Sequence, residues 1–329
     1  MTPLGEILRD EIRREGPISF RRFMEAALYD PEFGYYRRAH DPFGRLGDFY
    51  TAEQIQPVFG ILIAARIRAL AASMGSPADF TVVELGAGRR EMAEAFAEWR
   101  YVPVDCGCGA MPDRFRGVVF ANEFFDALPV EVIRFREGGF HDVRVAWNER
   151  FVWTDGPPAR EEAAEYSRRY FPPPMEGALF EVNLDALAWL DRIARALEAG
   201  FVLTIDYGFT REEYARFPRG SLMSYQRHQA LEDVLEDPGA RDITAHVAFT
   251  ALEKHGARAG LETVRFESLA RMLLASGEAD QFAAALAAPN TEEQLRRRLQ
   301  LKSLLFGMGE TFRTLLQKAG GGDAGLATK

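Results

Sequence analysis

The segment Phe80–Arg90, FTVVELGAGRR, limits what this chain can fold into more than any other stretch. Phe80 to Val83 form a short apolar, β-branched run that stops at Glu84, as a buried strand does. Gly86 and Gly88 then allow a tight turn in which the backbone can lie close to a ligand. Glu91 to Trp99 follows with helical spacing, which predicts a helix N-terminus facing the turn. Further strand candidates lie at 101–105, 117–121, 201–208 and 262–266, and helical patterns at 54–73, 184–197 and from about Thr250 stand between them. Such alternation predicts a mainly parallel sheet with helices on both faces. Ligands of these sheets bind beyond the carboxyl ends of the strands, so Glu84, Asp105, Asn122 and Asp206 become the residues of interest.

The types of those residues narrow the ligand. Asp105 ends the second strand 17 positions after Gly88, where a carboxylate can accept hydrogen bonds from ribose hydroxyls. The third glycine of a dinucleotide fingerprint is missing, because Glu91 stands three residues after Gly88. A pyrophosphate beside Glu84 and Glu91 would meet like charge, whereas a cationic sulfonium carrying a ribose would not. In ANEFFDALPV, Asn122, Glu123 and Asp126 crowd against Phe124, Phe125 and Leu128 directly after an apolar strand. Polar groups so placed are costly to bury unless paired. They read either as the capped start of a helix or as acids beside reacting atoms.

Elsewhere the pattern is coarser. Residues 3–15 and 20–28 are amphipathic helices, with Ser19 as N-cap of the second. Residues 130–175 carry hairpin strands closed by Pro172–Pro174, and 209–241 is a polar, Gly/Pro-punctuated insertion. From Ala270 to Gln317 the spacing is helical, and the Gly-rich tail from 320 to 329 is expected to be disordered. The expected division is a helical N-terminal region (1–75), a Rossmann-like domain (76–270) with those two insertions, and a helical C-terminal region (271–319).

A net charge of −9 argues against a nucleic-acid partner, and Arg296–Arg298 reads as the solvated face of a helix. No apolar run approaches the roughly 20 residues of a membrane span. Cys106 and Cys108, the only two cysteines, are too close for a disulfide framework and have no accompanying ligands for a metal. With an acidic N-terminus lacking an apolar stretch, these features point to the cytoplasm.

Seven segments, in order, carry a resemblance to a known family: Ile18–Tyr36, Gly47–Ala52 (GDFYTA), Val82–Arg89 (VVELGAGR), Ala121–Val130, Thr204–Gly208 (TIDYG), Asp242–Phe249 (DITAHVAF) and Met308–Gln317. Together the chain resembles the MidA-like methyltransferase family. That resemblance implies a Rossmann-like class I fold and S-adenosyl-L-methionine (SAM) as cofactor. It also implies a protein arginine acceptor, as in mitochondrial members that dimethylate a respiratory-complex subunit. It assigns Glu84, Gly86, Ala87, Gly88, Asp105 and Asn122 to the cofactor, with Gly47, Asp48, Phe49, Tyr50 and Thr51 folded over it. Asn122, Glu123 and Asp126 fall at the methyl-transfer end, and carboxylates there would orient a guanidinium. Asp206 and His246 are further candidates; Asp206 is equally readable as structural, and a lone histidine such as His246 is more often structural than catalytic.

Two places depart from the family pattern. Arg90 stands where the third glycine of the cofactor turn is usual, and only twelve residues, Cys106–Gly117, fill a stretch that normally holds a helix and a strand. The sheet is therefore expected to be shorter by one strand–helix unit. A non-catalytic binding protein on the same fold and a small-molecule methyltransferase are the competing readings.

Overall fold

The computed structural model describes residues 1–37, 52–106, 108–217, 219–226, 229–231 and 233–320. The stretch Gly47–Thr51, expected to fold over the cofactor, and the tail after Gly320 lie outside them. The chain divides into two compact units, each assembled from three separate stretches.

One unit comprises Thr51–Phe124, Trp189–Gly208 and Leu252–Lys329. Its sheet runs in the order Leu261–Ser268, Phe312–Ala319, Leu197–Phe209, Phe115–Asn122, Thr81–Leu85, Arg100–Val104. Thr81–Leu85 is parallel to both neighbours, with Val83 opposite Val102 and Val119. Every residue of it is buried, as a strand covered on both faces requires. Phe115–Asn122 is in turn parallel to Leu197–Phe209. These central strands approach so closely that a Cβ on Gly117 would stand 1.9 Å from the Thr81 carbonyl oxygen. A Cβ on Gly200 would lie 1.9 Å from that of Gly117. The core is filled by Phe59, Ile63 and Ile67 of the Val58–Ser73 helix together with Phe96, Phe120, Leu203 and Leu273.

The second unit comprises Met1–Tyr50, Phe125–Ala188 and Phe209–Ala251. Helices Pro3–Glu15 and Phe20–Tyr29 begin on Thr2 and Ser19, whose hydroxyls accept the N–H groups of Gly5 and Arg22, satisfying donors a helix start leaves unpaired. Antiparallel strands Ile18–Ser19, Gly139–Asn148, Glu131–Arg136 and Leu179–Val182 form its main sheet, and Arg150–Pro158 pairs with Gly139–Asn148. The hairpins expected within 130–175 are present and are followed by a helix at Glu161–Tyr170. The 209–241 insertion contributes strands Met223–Gln226 and Gln229–Leu231 to a small sheet with Asp242–Thr244. Phe171, Phe180 and Tyr214 pack edge-on or stacked in its core, with centroids 4.5 to 5.5 Å apart.

Three expectations need correction or completion. Glu91–Trp99 is not an α-helix but a series of turns mixing i−3 and i−4 bonds, such as Ala93 N–H to Arg90 O and Phe96 N–H to Met92 O, both 3.0 Å. The neighbouring parallel strand starts at Arg100, so too little chain remains for a regular crossover helix. Phe312–Ala319 is a strand rather than the end of a helical region, because it inserts antiparallel between Leu197–Phe209 and Leu261–Ser268; sheet pairing overrides the local preference. The third concerns Cys106–Gly117: no helix forms in its described residues, and none of the described strands pairs beyond Arg100–Val104. The sheet is thus the shortened one expected. No helix among the described residues is long and apolar enough to cross a membrane.

Candidate active site

In the first unit, Glu84 sits one residue before the carboxyl end of a wholly buried strand. A carboxylate there is costly unless hydrogen-bonded. Tyr101 lies opposite Val82 on the adjacent strand, two residues back along the same face, and its hydroxyl donates to Glu84 Oε2. The other oxygen, Oε1, is buried with no partner. Burial pushes the Glu84 carboxyl up to about 7 despite the Tyr101 bond, with the charges of Glu91 and Asp105 adding to the rise. The Tyr101 phenol is raised as well, first by burial and then by Glu84.

The turn follows at once. Gly86 and Gly88 have φ of +74° and +44°, and the N–H groups of Gly86 and Ala87 both donate to Val104 O, at 2.9 and 3.2 Å. A Cβ on Gly86 would come within 3.2 Å of the Phe124 ring, so glycine keeps the surface there low. Arg90 also takes a left-handed conformation, φ +62°, and is exposed. Asp105 ends the next strand, its backbone paired both ways with Cys108 at 3.0 and 3.1 Å. Its Oδ1 accepts the Cys106 N–H at 2.6 Å.

Asn122 closes the Phe115–Asn122 strand and is 4% exposed. Its amide Nδ2 donates to Glu123 Oε1 at 3.3 Å, while its Oδ1 has no partner. Glu123 is held at φ +49° by its own N–H, which donates to Ile205 O at 2.9 Å. The same Oε1 receives the Ala52 N–H at 3.2 Å. Next to Ala52, on the short 3-10 turn Ala52–Gln54, stands a carboxylate that sequence reading missed. Glu53 is 7% exposed and is pushed well above the usual carboxylate range, first by burial and then by the charges of Glu84, Glu123 and Glu91. An acid abutting the GDFYTA motif was the available signal, but nothing local marks it as buried.

The other candidates separate. Asp206 is fully buried in the Leu197–Phe209 strand, accepts the Tyr207 N–H at 2.9 Å, and stands opposite Arg313. Asp126 and His246 belong to the second unit. There the Asp126 carbonyl accepts the Ala245 N–H at 3.0 Å. His246 Nδ1 bonds the Ser221 carbonyl at 3.0 Å, its ring lies 5.0 Å from that of Phe217, and burial lowers its pKa. Among the described residues, no three His, Cys, Asp or Glu are arranged to hold a metal ion. Buried acceptors without partners, glycines that keep a turn open and an acid at the next strand end suit a ligand bearing an ammonium group and a ribose.

An α/β sheet with these strand-end groups defines a nucleoside-binding enzyme of the Rossmann-like class. Residues 97–267 match the family described as S-adenosyl-L-methionine-dependent methyltransferase. A Burkholderia thailandensis protein crystallised with S-adenosyl-homocysteine is 31% identical, with TM-score 0.85 and 98% of this chain and 93% of that one covered. A native crystal structure of a protein from the same organism is 30% identical, with TM-score 0.79 and coverage of 98% and 92%. The mitochondrial protein arginine methyltransferase NDUFAF7 homolog of Drosophila melanogaster is 28% identical, with 75% of this chain and 68% of its own length covered. The human mitochondrial NDUFAF7 is 26% identical, with 77% and 69% covered. The chain belongs to this family of SAM-dependent methyltransferases, and SAM is its cofactor. The expected cytoplasmic location is corrected by the Drosophila and human relatives, which are mitochondrial proteins; cysteine content and a polar N-terminus do not distinguish the two compartments.

Proposed function

We propose that this methyltransferase acts on a protein arginine, with Glu123 orienting the guanidinium. The observation that carries this reading is the conformation of Glu123, a non-glycine residue held at positive φ at a strand end beside the cofactor turn. That conformation costs about 1–2 kcal/mol, and strain of this kind tends to persist where it aims a functional side chain. The names of the Drosophila and human relatives support the same acceptor.

On this reading Glu84, Gly86, Ala87, Gly88 and Asp105 bind the cofactor, with Asn122 at their edge. Bound SAM supplies a methyl group on a cationic sulfur that leaves as a neutral thioether. Glu123 holds two guanidinium nitrogens and draws the positive charge toward them, leaving electron density on the third. As the N–CH3 bond forms, the methylated nitrogen gives its proton to a carboxylate. Alignment of the reacting atoms contributes most of the acceleration. For Asp126 the same orienting role is proposed from its sequence position alone, three residues after Glu123. Asp206 and His246 are proposed as structural, each engaged by neighbours of its own unit.

The test is incubation of the enzyme with methyl-tritiated SAM and a cell lysate, followed by acid hydrolysis of the labelled protein. Label eluting as methylarginine is expected. Label confined to small molecules, or to another amino acid, would rule the arginine reading out.

A further inference from the structure

The Ala52–Gln54 turn brings to the strand ends a carboxylate that the methyl-transfer reading does not use. Glu53 is buried beside Asn122 and Glu84, next in sequence to Ala52, whose N–H donates to Glu123 Oε1, and it faces the charges of Glu84, Glu123 and Glu91. Around it, Tyr101 donates to Glu84, Arg90 acts on Tyr101 and Asp105 acts on Glu84. Acids this close, with little water, are stable only when some of them keep a proton. Two acceptor atoms remain without a partner in this cluster, Glu84 Oε1 and Asn122 Oδ1, on side chains 0% and 4% exposed. The group is not arranged as a metal site. What it lacks is a compact positive charge with several N–H donors and no acceptor, which describes an alkylammonium.

We propose that Glu53 is a cofactor-binding residue that, with Glu84 and Asn122 Oδ1, receives the α-ammonium group at the amino-acid end of the cofactor. As that group enters, one carboxyl proton passes to solvent and the ammonium keeps its three. This inference rests on the reading that Glu84 lies in the cofactor site.

Titration calorimetry tests it, with S-adenosyl-homocysteine and with 5′-methylthioadenosine, which lacks the amino-acid end. Each ligand is titrated near pH 6.5 in two buffers of unlike ionisation enthalpy, so that the heats report proton release. Wild-type protein should release a proton on binding S-adenosyl-homocysteine and none on binding methylthioadenosine. Glu53→Gln should weaken S-adenosyl-homocysteine about 10- to 100-fold, the size of one charge-assisted hydrogen bond, and reduce the proton release. Its affinity for methylthioadenosine should stay within about twofold, which also shows that the variant is folded. Equal proton release with both ligands in the wild type overturns the inference without any variant. So does a Glu53→Gln protein with normal S-adenosyl-homocysteine binding. Glu84→Gln separates the two levels: if it weakens binding while Glu53→Gln does not, only the role of Glu53 fails. If neither variant changes binding, the placement of Glu84 fails too.

Discussion

Two residues at the candidate site, Arg90 and Glu123, stand in left-handed backbone conformations, and they differ in what the strain accomplishes. Glu123 is aimed by it, bonded through its N–H to Ile205 and through its carboxylate to Ala52 and Asn122. Arg90 is exposed in the turn that carries Gly86 and Gly88, at the position where the family resemblance leads one to expect glycine. Arg90→Gly should therefore raise stability by about 0.5–1 kcal/mol, the relieved strain outweighing the greater freedom of glycine in the unfolded chain. A higher urea midpoint at unchanged slope is the readout. Asp126→Asn is the complementary test: turnover should fall at least about 100-fold, while S-adenosyl-homocysteine affinity stays nearly constant. Normal turnover would remove Asp126 from the acceptor side. The acids Glu84 and Asp105 were legible at strand ends because each closes an apolar run, whereas Asp206, read the same way, lies inside a strand that continues to Phe209. Glu53 was not legible, since its burial comes from packing between the 52–54 turn and strands distant in sequence, which no local pattern encodes.

At the scale of elements, strands that end on acids were legible and the connections between them were less so. Glu91–Trp99 has helix-forming composition, yet Phe96 must reach the ring of Phe120 at 5.5 Å before the chain returns as a strand at Arg100. That short return produces turns instead of a helix. Phe312–Ala319 follows helices at Leu269–Glu278 and Thr291–Ser303 and has no strict alternation of its own. It becomes a strand because the open edge of Leu197–Phe209 accepts it, with Gln317 buried and its amide donating to Leu252 and Leu261 carbonyls at 3.2 and 3.4 Å. The stacked glycines also belong to this scale. Gly117 and Gly200 let three parallel strands approach where φ is +148° and +145°, with no room for a methyl group. Gly200→Ala should cost about 3 kcal/mol, against the gain of less than 1 that Gly→Ala gives at permissive sites. A wild-type urea midpoint for this variant would show that the strands can part without loss.

Over the whole molecule, two buried titratable groups bend the stability profile in opposite directions. His246 has a lowered pKa in the folded state, so its contribution is present above its ordinary value of about 6.5 and is lost as pH falls through the folded one. Glu84 has a raised one, so its contribution is present below 4.5 and is lost as pH rises through about 7. The two groups sit in different units, and only Glu84 is assigned to the cofactor site. Subtracting the stability of the free protein from that of the liganded protein at each pH cancels His246 and leaves the acids of the cofactor site, Glu84 and Glu53. A bound ammonium favours the ionised carboxylate, so ligand affinity should rise with pH until Glu84 is ionised without help. The increase in melting temperature caused by a fixed, saturating concentration of S-adenosyl-homocysteine should accordingly be smallest near pH 5. It should grow toward pH 7.5 and level off above it. In Glu84→Gln protein the same difference should be smaller and depend less on pH, Glu53 supplying what dependence is left. A flat difference in the wild type would mean that no cation meets Glu84 and that the carboxyl keeps its proton for structural reasons alone.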